Sequence, residues 1–290
     1  MNSPADIASP KPLNESQRTA LIQLLGDEDP AVYQAVRDKL LSCGSESAEW
    51  LRGHMLSDDP ALRRRARDIV LHFDRQAADN AFLAFCLGHG EEFDLEAGTL
   101  LLAKTKYPDI NAEAYHALLD GYAADLRERI DPGGGASEAL GALNEYLFNH
   151  LGFAGNEQNY YDPENSYLNR VLDRRTGNPI NLCLIYLLLA KRLSLPMTGI
   201  GLPGHFICRF QSTSDEFYVD AFHRGRILSK ADCIHYLLQG NYSLREDFLA
   251  PLSSRRILMR ICSNLHQIHL QLELTDETTR FQRYLVALAR

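Results

Sequence analysis

The sequence predicts an α+β protein: a helical N-terminal part, a core in which one buried helix packs on a small antiparallel sheet, and closing helices. Three observations carry this expectation. Apolar residues recur at helical spacing from residue 16 onward. The run Ile180–Leu193 is apolar with little interruption and long enough for a buried helix. Two alternating runs, His205–Phe210 and Glu216–Phe222, flank the turn residues Ser212-Thr213-Ser214-Asp215 and read as a hairpin. With 290 residues, 45% of them hydrophobic and 23% charged, the chain exceeds a typical single domain and is not a disordered one.

Residues 1–15 are rich in Pro, Ser and Asn and are expected to form a flexible tail. The helical region is expected over 16–131, and it contains an internal repeat. Asp29-Pro30-Ala31-Val32 matches Asp59-Pro60-Ala61-Leu62 at an offset of 30 residues, followed by Arg37-Asp38 against Arg67-Asp68. In each copy an Asp precedes Pro at a helix start, where a cap oxygen and a missing N–H are both favourable. The copies resemble HEAT-type repeats, which bury their faces by stacking; an ordinary helical bundle satisfies the same pattern. Helical spacing continues through Leu95–Ala103 and Ala112–Ile130 until Asp131-Pro132-Gly133-Gly134-Gly135 breaks it. The core is expected over 136–250, with a helix at Ser137–Asn149 and an Asn- and Tyr-rich loop at Asn156–Ser166. Residues 251–290 return to helix, with an apolar face of Ile257, Leu258, Ile261, Leu265, Ile268 and Leu272.

Composition removes several function classes. Acidic residues outnumber basic ones by 38 to 30, the wrong balance for a general nucleic-acid or anionic-membrane binder. The longest apolar run, Ile180–Ala190, is too short to span a bilayer and carries Asn181. The six cysteines are dispersed with no C-x-x-C pair, which argues against a disulfide framework. The N-terminal residues lack a secretory pattern, so a soluble, cytoplasmic chain is expected.

Cys183, His205 and Asp220 are the candidate catalytic residues. Cys183 falls near the start of the helix that opens at Pro179, where free N–H groups and the positive helix end favour a thiolate. Such settings lower a thiol pKa from about 8.5 to roughly 3.5–7.5. A hairpin centred between Ser212 and Thr213 sets His205 opposite Asp220, so the carboxylate can orient one imidazole nitrogen while the other faces the thiol. The Cys183 backbone N–H is then the expected oxyanion donor. Bland roles stand beside these: Cys183 as a small buried hydrophobe, His205 as a structural histidine, Asp220 as a turn carboxylate. Asn178 and Asn181 read as caps or as oxyanion partners. No metal and no cofactor are assigned. Cys183, His205 and Asp220 lack paired-ligand spacing, and His266 and His269 are given to helix packing. Arg63-Arg64-Arg65 reads as a solvated helix face.

The runs Asn159-Tyr160-Tyr161-Asp162-Pro163-Glu164-Asn165-Ser166-Tyr167-Leu168-Asn169, Arg174-Arg175-Thr176-Gly177-Asn178-Pro179-Ile180 and Gly201-Leu202-Pro203-Gly204-His205-Phe206 resemble the bacterial SirB-like proteins. That family belongs to the transglutaminase-like, papain-related superfamily. The resemblance spans Asn156–Phe222, with further similarity at Leu95–Ala103 and Tyr107–Asp109 and a tetratricopeptide-like tail. It implies a papain/transglutaminase-like core in which Cys183, His205 and Asp220 are nucleophile, base and orienting acid. Acyl chemistry on a peptide or carboxamide follows, by hydrolysis or by transfer, with a protein or peptide as substrate or partner. Many relatives carry Ser at the nucleophile position, and Ala221 stands where they often show Pro. The competing expectation is a non-catalytic interaction module on a degenerate core of this kind.

Overall fold

The computed structural model describes residues 13–131, 133–242 and 246–290. The expected tail therefore lies outside the described residues up to residue 12, and Asn14 already caps a helix. The chain divides into two compact units. One runs through Asp79 and takes in Thr105–Asp109; the other comprises Asn80–Lys104 and Ile110–Arg290.

In the first unit, helices α1 (Glu15–Leu25), α2 (Pro30–Ser42) and α3 (Glu46–Arg52) precede α4 (Pro60–Gly88), which begins here and ends in the other unit. The two repeated starts are both capped: Asp29 Oδ1 accepts from the Ala31 N–H, and Asp59 Oδ1 from that of Ala61, each at 2.8 Å. Leu25, Val36, Leu40, Leu51, Ile69 and Val70 close the core of this unit.

The second unit holds α5 (Leu95–Lys106, which ends in the first unit), α6 (Ala112–Arg129), α7 (Ala136–Asn144), α8 (Leu168–Arg174) and α9 (Pro179–Arg192). The helix expected over Ser137–Asn149 is α7 followed by a π-helical turn, Glu145–His150. Short strands β1 (Ala154–Gly155) and β2 (Thr176–Gly177) pair in parallel. Five further strands form one antiparallel sheet: β3 (Met197–Ile200), β4 (Ile207–Gln211), β5 (Glu216–Asp220), β6 (Arg226–Leu228) and β7 (Pro251–Leu252), in the order β6-β5-β4-β3-β7. Helix α9 packs on β3 and β4 and also meets α6, α8 and α11 (Ser254–Gln271). Neighbours on several sides explain why its sequence is apolar all round rather than on one stripe. Its far end is anchored by Arg192, which forks onto the buried Glu96 of α5 at 2.7 and 3.1 Å.

Helices α10 (Lys230–Gln239), α11 and α12 (Thr275–Leu288) complete the unit. Ile257, Leu258, Ile261, Leu265 and Ile268 are buried as expected, but Leu272 is 52% exposed. It caps the end of α11 rather than continuing its apolar face. No helix among the described residues is long and apolar enough to cross a membrane.

The turn from β5 to β6 is closed by Gly225, at φ +74°, whose carbonyl accepts a 2.7 Å bond from Asn144 Nδ2. A Cβ there would lie 2.6 Å from Phe148 and would also run into Asn144. Gly225→Ala is expected to destabilise this unit by about 2–3 kcal/mol, through backbone strain plus overpacking. Urea denaturation checks this, and a loss below about 0.5 kcal/mol would show that the turn tolerates a side chain.

Candidate active site

A cavity of about 450 Å³ opens where β4, β5 and α10 meet, lined by Tyr160, Leu202, His205, Asp220, His223 and Tyr236 among others. Each side chain arrives there for a local reason. The Asn- and Tyr-rich loop is held by Asn165, whose side-chain amide donates to the carbonyls of Asn159 and Tyr160. Arg174 bridges Asp162 and Glu164 at 2.8 and 2.9 Å across the base of the same loop. That framework presents Tyr160 to the cavity. On the other wall, Gly204 adopts φ +73°, a conformation that side chains resist. The His205 N–H donates back to Leu202 O at 3.2 Å, so the chain turns His205 inward just before β4 begins.

The structure brings His205 and Asp220 together. His205 Nε2 donates to Asp220 Oδ2 at 2.8 Å, and both side chains are close to buried. The register differs from the expected one: Cys208 pairs with Val219, which sets Asp220 opposite Ile207. The hairpin therefore centres one residue later than expected, because Ser212 N closes onto Asp215 O in a four-residue loop. His205 lies beyond the paired residues and reaches Asp220 along the diagonal.

Asp220 has a second imidazole partner, His223, whose Nδ1 donates to the same Oδ2 at 2.8 Å. The His223 backbone N–H donates to Oδ1 at 3.2 Å. Burial pushes the Asp220 carboxyl up, but the bonds and charges of His205 and His223 outweigh it and hold the group below the ordinary carboxylate value.

Cys183 makes no hydrogen bond to this pair. Its residue has no exposed surface and does not line the cavity; its thiol donates to Phe206 O at 3.4 Å. Cys208 lies against it and donates its own thiol to the Cys183 carbonyl at 3.6 Å. The physical reason is depth along the helix. Helix α9 starts at Pro179, which lines the cavity, and Cys183 sits one turn deeper on the same face. The expected oxyanion donor is corrected on the same ground. The Leu182 N–H already donates to Asn178 O at 3.1 Å, so Cys183 lies past the free N–H groups of the helix start. Asn178 is a cap: its Oδ1 accepts from Asn181 N at 3.0 Å and its amide donates to Ser166 at 2.8 Å.

Three cavity residues, and Arg260 beside them, had no role in the sequence expectation. His223 follows Asp220 at a spacing of three, the one local signal that could have flagged it. Tyr236, on α10, donates to Pro203 O at 3.0 Å. Tyr160 stood in a quoted run without a role. Arg260, on α11, sits behind the cavity wall and ties the loop by donating to the carbonyls of both Leu202 and His205. Cys233 is the cysteine at the cavity wall, and burial, with Asp232 and Asp220 nearby, pushes its thiol up to about 12. It is a poor nucleophile at neutral pH.

Sheet, buried helix and His–Asp pair together define a class, and comparison with known families agrees. The family model of the transglutaminase-like superfamily matches residues 113–263, and the chain belongs to that superfamily. Among individual proteins it is 36% identical over 196 residues to a UPF0162 protein of Xylella fastidiosa, covering 66% of this chain and 70% of that one. It is 35% identical over 159 residues to a UPF0162 protein of Pseudomonas aeruginosa, covering 53% and 57%. Human F-box only protein 21 is 34% identical over 137 residues, which cover 44% of this chain and 21% of that protein. No solved structure matches.

Proposed function

We propose that this chain is a SirB-like protein that binds a peptide or carboxamide in the cavity and hydrolyses it, with His205 as proton acceptor and Asp220 as orienting acid. The observation that carries this reading is the 2.8 Å bond between His205 Nε2 and the buried Asp220 at the cavity. It leaves Nδ1 as the nitrogen that takes up a proton. Water is the nucleophile, because the thiol of Cys183 lies outside the cavity. His205 takes one proton from the water as its oxygen bonds to the substrate carbonyl. The tetrahedral oxyanion then expels the amine, which leaves with the proton returned by the imidazolium. The HEAT-like reading of 16–131, the core over 136–250, the tetratricopeptide-like tail and a cytoplasmic location belong to the same proposal. A second reading keeps the cavity as a site that binds a peptide without turnover.

The test is a panel of peptide amides incubated with the full chain, followed by ammonia release and by mass spectrometry of new termini. His205→Ala is expected to lower turnover by about 10²–10⁴-fold, and Cys183→Ala to change it only a few-fold. Binding with no turnover by the wild type supports the second reading. Turnover that His205→Ala leaves intact removes the proposed base, and collapse in Cys183→Ala transfers the nucleophile to the thiol.

A further inference from the structure

We propose that His205, Asp220 and His223 form a site for one divalent transition ion of the zinc class. One imidazole nitrogen from each histidine and one carboxylate oxygen of Asp220 all lie within 4.8 Å of one another. Nε2 of His205 and Nδ1 of His223 each stand 2.8 Å from Asp220 Oδ2. Zinc binds such atoms at about 2.0–2.2 Å, which sets neighbouring donors of a tetrahedron about 3.3 Å apart. Each nitrogen–oxygen gap thus has to open by about half an ångström. His223, whose side chain is 55% exposed, can open its own gap by turning outward, while the gap between the nearly buried His205 and Asp220 opens by a small rotation of the imidazole or the carboxylate.

The surroundings suit a cation in three further ways. The His223 backbone N–H on Oδ1 orients the carboxylate and leaves Oδ2 turned toward the imidazoles, the kind of outer support that metal ligands use. Two imidazoles and one carboxylate select transition ions over calcium or magnesium, which favour all-oxygen sets. Three protein ligands beside a cavity also leave a position open to water, the pattern of reactive rather than structural zinc sites. Arg226 and Asp232 line the same cavity with opposite charge, so Asp220 supplies the net negative charge of the site. On binding, each facing N–H is replaced by a nitrogen–metal bond. A neutral imidazole then carries its proton on the other ring nitrogen, and an imidazolium releases one proton to solvent.

This inference goes beyond the hydrolytic reading, since a metal-bound His205 is a ligand and no longer a proton acceptor. The test uses the full chain, stripped with EDTA and dialysed, titrated calorimetrically with zinc chloride and followed in parallel by cobalt(II) absorption. One ion per chain is expected. His223→Gln, at a half-exposed position, is expected to weaken zinc by at least tenfold. Loss of an outer-shell partner alone costs about that much. His205→Gln is expected to weaken it likewise, with melting curves confirming that both variants are folded. Absence of stoichiometric binding, or equal affinity in both variants and the wild type, overturns the site. With the peptide-amide assay run on the same EDTA-stripped chain, neither result touches it, so the two readings fail separately.

Discussion

Iodoacetamide at neutral pH is expected to label Cys43 first and Cys183 among the last of the six cysteines. Cys43 is partly exposed, whereas Cys86, Cys183, Cys208, Cys233 and Cys262 are buried. Alkylation needs both a thiolate and access. The Cys183 thiol is committed to the Phe206 carbonyl, and Cys208 covers it, so reagent reaches it only after local opening. Opening that costs about 3 kcal/mol slows labelling by roughly a hundredfold relative to an accessible thiol. His205→Ala is expected to leave the Cys183 rate within about twofold of wild type, because the imidazole is bonded to Asp220 and not to the thiol. Site mapping by mass spectrometry reads both numbers. Rapid labelling of Cys183 that collapses in the variant would restore the thiol–imidazole pair, and with it acyl-enzyme chemistry by hydrolysis or transfer.

Replacing Arg255 is expected to produce the largest loss of stability in the chain, about 3–5 kcal/mol for Arg255→Ala. Its buried guanidinium donates to four carbonyls: Cys86 and His89 at the end of α4, Ala287 and Leu288 at the end of α12, all at 2.8–3.0 Å. Helix ends leave such carbonyls without intrahelical partners and give them partial negative charge. One planar group therefore satisfies two helix C-termini, and it fixes α12 antiparallel to the α11 that carries it. Truncation strands the carbonyls away from water. Arg255→Lys keeps the charge but not the fork, and an intermediate loss is expected. Urea denaturation followed by circular dichroism measures the effect, in the transition of the unit that contains α11. A loss below about 1 kcal/mol for the alanine variant would mean that water replaces the guanidinium at both helix ends.

The two results bear on different levels of the same core. Arg255 secures the helices at the edge of the unit, and Arg260, one turn further along α11, holds the loop that aims His205. The cavity thus depends on a helix remote in sequence from every residue that lines it.

What the sequence determined by itself is what short-range physics controls. Asp29, Asp59 and Asn178 start their helices through bonds to N–H groups two or three residues away, and the residues concerned are adjacent in the chain. The unbroken apolar stretch of α9 announced a buried helix, and the alternating runs on either side of Ser212–Asp215 announced a hairpin. The nearness of His205 to Asp220 followed from that hairpin. Other features depended on contacts that no spacing encodes. A helix that starts at Pro179 carries Cys183 past its free N–H groups and toward the Phe206 carbonyl, a difference of one turn that only packing against β4 settles. The hairpin register turned on how a four-residue loop closes. Arg260 reaches across 58 residues to Leu202, and Arg255 across 169 to Cys86. Such bonds form only after the helices and sheet have assembled, because the entropy of closing long loops is repaid by many contacts made at once.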